Sequence, residues 1–166
     1  MPTGPAARIT DNVVHPLPPV LTPGPGSMDV LIGYLPAWRG IPAAAAAALQ
    51  SAKTASDTAV TAAQATTAGA AGTPGAPAAY AAEQALKAAN LAALSSSIMS
   101  MAGMSDIHAC VTPSPVPPHG PGVVVDGSQT VLVDNMPQCR MGDTIIEPLG
   151  PPNKIMKGEM TVIVGG

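Results

Sequence analysis

The sequence predicts a mostly β protein: a small conical, pseudo-threefold β-prism of short repeated strands, interrupted by an inserted alanine-rich αα-hairpin. Three observations predict this fold class. The composition changes near residues 42 and 104, a strand-and-turn pattern recurs on both sides of these boundaries, and the chain has one Trp, two Tyr and no Phe. We therefore expect residues 1–41 and 105–166 to form one β cone together, with residues 42–104 as the inserted helical hairpin.

The first element of the prediction is a thin but folded core. The 166 residues include 17 Gly and 20 Pro, a proportion close to that of low-complexity chains. A net charge of only -3 and a mean hydropathy of +0.29 argue against solvated disorder. Chains with thin cores usually depend on a bound metal or on assembly with a partner. The seven scattered Lys and Arg residues do not predict nucleic-acid binding.

The second element is an internal repeat. Residues 26–39 and 127–140 both contain Gly-Ser, two variable residues, three aliphatic residues, a turn and Pro-x-x-Arg, with identical spacing. Residues 158–166 repeat the strand and its turn, and residues 5–8 supply the Pro-x-x-Arg half alone. Because copies occur on both sides of the insertion, the two flanks should pack as one pseudo-symmetric unit. The recurring arginines, Arg8, Arg39 and Arg140, should hydrogen-bond strand-end carbonyls or turn carboxylates.

The third element is the insertion. Residues 43–104 hold 26 of the chain's 30 alanines, which are strong helix formers. Pro42 suits a first helical turn, and a Gly- and Pro-rich break near residues 69–77 separates a second helix predicted over residues 78–101. Small side chains bury little area, so the hairpin should need a partner or self-association to be rigid. Four charged residues argue against a membrane span: Lys53, Asp57, Glu83 and Lys87.

The candidate metal ligands all lie in the β-rich flanks. The chain has three histidines, His15, His108 and His119, and Cys139 occupies the variable position of a Pro-x-x-Arg motif. Repetition around an axis lets ligands from different copies converge at one point. Three imidazoles and one thiolate would make a closed, structural zinc site without a position for water or substrate. Cys110, two residues after His108 and on the same strand face, is the alternative thiolate.

Several motifs in register carry a resemblance to a known family. They include Pro5-Ala6-Ala7-Arg8, residues 106–110, 118–120 and 127–133, Met141-Gly142-Asp143 and residues 150–153. On these motifs the sequence resembles the PAAR-repeat spike-tip proteins of type VI secretion and other contractile injection systems. The resemblance implies a β cone that caps a VgrG-type spike trimer, one copy per trimer. It also implies zinc held by three histidines and one cysteine, which map onto His15, His108, His119 and Cys139.

The function that the resemblance implies is mechanical, without enzymatic activity. A zinc-stabilised tip sharpens the spike for envelope puncture, touches the target membrane only transiently, and attaches effectors or a chaperone through the hairpin. The N-terminus has no apolar signal-peptide stretch, so we expect synthesis in the bacterial cytoplasm and later secretion or injection at the tip of the machine. The alternatives are the tip of a phage-like extracellular contractile particle, a carrier whose hairpin is the active part, and a zinc enzyme with an open site using Glu147 or Glu159.

Overall fold

The computed structural model describes residues 3–14, 20–110 and 119–165, which form short strands and two long helices. Two long helices, α1 over Ala43–Gly69 and α2 over Ala76–Ala102, confirm the predicted hairpin, and α2 begins and ends within two residues of the predicted range 78–101. In chain order the elements are β1 Gly4–Ala6, β2 Leu31–Ile32, β3 Leu35–Pro36, α1 Ala43–Gly69, α2 Ala76–Ala102, β4 His108–Cys110, β5 Gly120–Val124, β6 Leu132–Val133, β7 Met136–Pro137, β8 Thr144–Ile146, β9 Asn153–Lys154 and β10 Glu159–Val164.

Three antiparallel strand pairs correspond to the sequence repeats. In them Leu31 of β2 pairs with Pro36, Leu132 of β6 with Pro137, and Ile163 of β10 with Pro5. The last strand of the chain therefore completes the half-copy at its start. The next aliphatic residue of each copy is buried in a shared cluster, which comprises Ile32, Val133 and Val164 with Ala6 and Ala37.

The three Pro-x-x-Arg segments are joined in a closed ring of backbone hydrogen bonds. The Ala7 amide donates to the Cys139 carbonyl at 2.9 Å, the Cys139 amide to the Trp38 carbonyl at 2.9 Å, and the Trp38 amide to the Ala7 carbonyl at 3.0 Å. All three side chains are fully buried in a second core cluster that also contains Leu21, Val124, Ile145 and Ile155. The variable position of the motif thus faces an interior that the three copies share.

Each recurring arginine is clamped by an aspartate, as the repeat predicted. The amides of Arg8 and Arg140 each donate at 2.8 Å to the aspartate three residues further on, Asp11 and Asp143 respectively, and the guanidinium groups bind the same carboxylates. Arg39 makes the same contacts with Asp106, 67 residues away. In the other two copies a short turn joins the arginine to its aspartate. The helical hairpin is inserted at the equivalent position of the third copy, between Arg39 and Asp106.

The base of the hairpin packs on the β-rich part of the chain. Leu49 of α1 and Leu94 and Ile98 of α2 share a third core cluster with residues of β5 and β8, namely Val123 and Ile146, and with Ile41, Ala46, Ala102 and Val125. The small side chains of the hairpin require a packing partner, and at the base of the hairpin this partner is the β-rich part of the same chain. Residues 54–90, all of them described, contribute nothing to the three core clusters. Among the described residues, no helix is both long and apolar enough to cross a membrane.

Candidate metal centre

The side chains that could bind a metal lie together at one edge of a four-stranded sheet. The sheet has the order β4-β5-β8-β9. His108 and Cys110 lie on β4, and both are buried because alternate residues of a strand share a face. His119 lies just before β5, and Glu147 directly follows β8. Since β5 pairs with both β4 and β8, residues that are distant in sequence meet at one place.

Three of these groups, those of Cys110, His119 and Glu147, lie close enough together to suit a single small cation, and His108 lies beside Glu147. Nδ1 of His119 lies 3.0 Å from Oε2 of Glu147, and Nε2 of His108 lies 3.9 Å from Oε1 of the same carboxylate. One ligand atom each from Cys110, His119 and Glu147 lie within 4.8 Å of one another. Ligands at about 2.0–2.3 Å from a tetrahedral zinc stand roughly 3.3–3.8 Å apart. Nitrogen, sulfur and carboxylate oxygen are also the ligand types that zinc takes, so the residues present fit this ion.

Burial controls the electrostatics of the cluster. Burial raises the pKa of Glu147 to about 7, because a low-dielectric site disfavours the charged form. The pKa of His119 is lowered from its ordinary value, first by burial and then by the positive charge of Lys53. A neutral imidazole is the form that binds metal, so His119 is prepared for coordination near neutral pH.

The hairpin covers this cluster through two close approaches. Nζ of Lys53, on α1, donates to the Gly150 carbonyl at 3.0 Å. Gly150 has a φ of +81°, and a Cβ there would lie 3.1 Å from Nε2 of His119. On the other side, a Cβ at Gly120 would lie 3.1 Å from Cδ1 of Leu91, on α2. Because glycine has no side chain, the loop at Gly150 and the helix α2 beside Gly120 can both lie close to His119.

The predicted site residues have different places in the structure. His108 and His119 both lie beside Glu147, whereas His15 lies outside the described residues. Cys139 is fully buried in the second core cluster, where burial, assisted by Asp143 and other carboxylates, raises its pKa well above the ordinary thiol value. That environment disfavours the thiolate form of Cys139. Cys110, the alternative thiolate, belongs to the cluster with His119, and the two thiols are not joined in a disulfide.

Glu147 is the ligand candidate that the sequence did not assign to the zinc site. In the sequence it has a role only in the zinc-enzyme alternative, as an acid or base. Its side chain is fully buried, with 0% exposure, and its neighbours in the cluster come from two other segments. The pairing of β5 with β8 brings Glu147 to the cluster, and no local sequence motif predicts this pairing.

Comparison with known proteins agrees with the motif analysis. Residues 114–166 match the family model described as the PAAR motif. The matched segment includes His119, Cys139 and Glu147. No curated protein and no solved structure matches the chain. The predicted resemblance to the PAAR-repeat proteins is confirmed over the matched residues.

Proposed function

We propose, from the PAAR motif that residues 114–166 carry, that this chain is the metal-stabilised tip of a VgrG-type trimeric spike in a type VI secretion system. The motif match is the observation that carries the proposal. The motif is typical of structural spike-tip proteins, so the proposed role is mechanical and not enzymatic. In this role the chain sharpens the spike for envelope puncture and leaves the cell at the tip of the contractile machine.

The arrangement of the repeats supports a conical, pseudo-threefold prism as the shape of this tip. The structure has three equivalent strand pairs, three segments that are joined in a closed ring of backbone hydrogen bonds, and three arginine–aspartate clamps. We propose that residues 1–41 and 105–166 form this unit and that residues 42–104 are inserted into one of its turns. A single pseudo-threefold chain of this kind can close the end of a trimeric spike.

Three exposed aliphatic side chains support contact with a threefold partner. Leu31, Leu132 and Ile163 occupy equivalent positions of the three copies, and their exposed fractions are 61%, 55% and 61%. Large apolar side chains exposed at related positions are typical of interaction surfaces. We propose that these residues contact the spike trimer, one copy of this chain per trimer.

The hairpin is proposed as the attachment site for an effector or a chaperone. Its base is held in the core, while residues 54–90 contribute nothing to the three core clusters. A phage-like extracellular particle would use the same tip on a different spike. The partner that co-purifies with the chain distinguishes these two machines.

The proposed cofactor is zinc, bound at the cluster described above. His108, His119 and the thiolate of Cys110 supply three ligands, and the sequence assigns the fourth position to His15. The side chain of His108 is 1% exposed and that of Glu147 is 0% exposed. Such burial supports a closed structural site over the open site that a zinc enzyme requires. Structural zinc contributes on the order of 10 kcal/mol in small modules, comparable with the net stability of a whole domain.

Elemental analysis of the purified chain tests the zinc site. We expect one zinc per chain in the wild type, loss of zinc in His108→Ala, His119→Ala and Cys110→Ala, and retention in Cys139→Ala. The last variant is the matched control, because it removes the other thiol from a buried position. Circular dichroism with excess zinc checks that each variant is folded. A wild-type chain without zinc would refute the metal site, and loss in Cys139→Ala with retention in Cys110→Ala would reverse the thiolate assignment.

A further inference from the structure

The carboxylate of Glu147 lies between the two described imidazoles. One of its oxygens is 3.0 Å from Nδ1 of His119, and the other is 3.9 Å from Nε2 of His108. Together with Cys110 these residues provide four ligand groups, the number that closes a structural zinc site. We propose that Glu147 occupies the fourth position of the ion that His108, Cys110 and His119 bind, a position that the sequence assigned to His15. This inference rests on the zinc site proposed above.

Glu147 lies close enough to two of the proposed ligands to bind the same ion. The side chains of His119, Glu147 and Cys110 each offer a ligand atom, and these atoms lie within 4.8 Å of one another. The Nδ1 side of the His119 ring is the side that faces the carboxylate. An ion bound at Nδ1 therefore meets Glu147 as a neighbouring ligand.

Charge balance gives an independent reason for a carboxylate ligand. Zn²⁺ with one thiolate and three neutral imidazoles carries a net charge of +1, whereas replacing one imidazole by a carboxylate makes the site neutral. The cluster is buried, and an unbalanced buried charge is costly. A neutral zinc site therefore suits this buried position.

Zinc affinity of the full chain, measured by chelator competition, tests the assignment. We expect Glu147→Gln to weaken zinc binding by more than about 100-fold, beyond the range found for residues that only support a ligand, and His15→Ala to bind zinc like the wild type. Glu83→Gln is the matched control, because Glu83 is also a buried carboxylate but pairs with Lys87 on the hairpin. It should bind zinc like the wild type. A loss of about 100-fold or less in Glu147→Gln would make the carboxylate a supporting group at most. That result, or a loss of about tenfold in His15→Ala, would overturn the inference.

Cobalt substitution keeps the test decisive if Glu147→Gln does not fold. The ligand-field bands of bound Co²⁺ depend on the set of ligands. Identical bands in the wild type and His15→Ala support Glu147 as the fourth ligand, and altered bands in His15→Ala overturn it. A wild-type chain that binds neither metal contradicts the proposed zinc site itself, so the two failures are distinguishable.

Discussion

Replacement of Trp38 by Ala is expected to lower the free energy of unfolding by about 3–5 kcal/mol, the range for removal of a large aromatic side chain from a core. Trp38 is fully buried in the second core cluster, and its amide and carbonyl both belong to the ring that joins the three copies. Its indole also packs closely on Gly24, where a Cβ would lie 2.9 Å from Cη2. The small neighbours Ala7 and Cys139 cannot fill the space that the indole leaves. Urea denaturation of the zinc-saturated chain measures the effect.

The matched control is Tyr34→Ala, which removes an aromatic side chain that is 96% exposed. This variant should change the unfolding free energy by no more than about 0.5 kcal/mol, as is usual at the surface. If the two variants unfold at the same urea concentration, Trp38 does not fill the shared interior of the three copies.

The substitution Asp106→Asn should destabilise the chain by about 3–5 kcal/mol, the range for breaking a buried ion pair. Asp106 is fully buried and accepts hydrogen bonds from the amide of Gly26 at 3.0 Å, from the amide of Arg39 at 2.8 Å, and from the guanidinium of Arg39. Among the described residues, the buried guanidinium then has Asp134 and the Gly26 carbonyl as its remaining partners. The loss should appear in the same denaturation experiment.

Asp29→Asn serves as the control for this prediction, because Asp29 is an exposed aspartate of the same repeat. It should leave the unfolding free energy unchanged within about 0.5 kcal/mol. Asp106 is also the residue at which the chain returns from the hairpin to the repeat. Equal stability of Asp106→Asn and Asp29→Asn would therefore contradict the position of the insertion within the clamp of Arg39.

The parts of the fold that were predictable depend on local or repeated patterns. Alanine content and the break near residues 69–77 located both helices, because helix propensity acts within a short window. The aliphatic triplets located β2, β6 and β10, and their repetition predicted that the two flanks pack together. The repeated arginines predicted the clamps, although the identity of Asp106 as the partner of Arg39 needed the structure.

The metal cluster was only partly predictable because its ligands come from separate segments. His108 and His119 were found by residue type. The repeat favoured Cys139, but equivalent positions of the copies face a packed interior that holds Ala7 and Trp38 as well. Glu147 is brought to the imidazoles by the register of β5 and β8, and a two-residue periodicity does not specify which strands pair.

The packing of the hairpin likewise could not be predicted from the sequence. Small side chains predicted a need for a partner but not its identity. Leu49, Leu94 and Ile98 come from two helices and pack with residues of β5 and β8 in one core cluster. In the sequence Lys53 is a charge that opposes membrane insertion, whereas in the structure its ammonium group donates to the Gly150 carbonyl beside His119.

The mass of the complex with the cognate spike trimer, measured by native mass spectrometry, tests the proposed tip most directly. Leu132→Glu is the informative variant, because it places a charge at one of the three equivalent exposed positions, and Met99→Glu, on the exposed part of α2, is its control. We expect one chain per trimer for the wild type and for Met99→Glu, and loss of the complex for Leu132→Glu with its zinc content unchanged. Three chains per trimer, or no binding by the wild type, would contradict the proposal that this chain caps a spike.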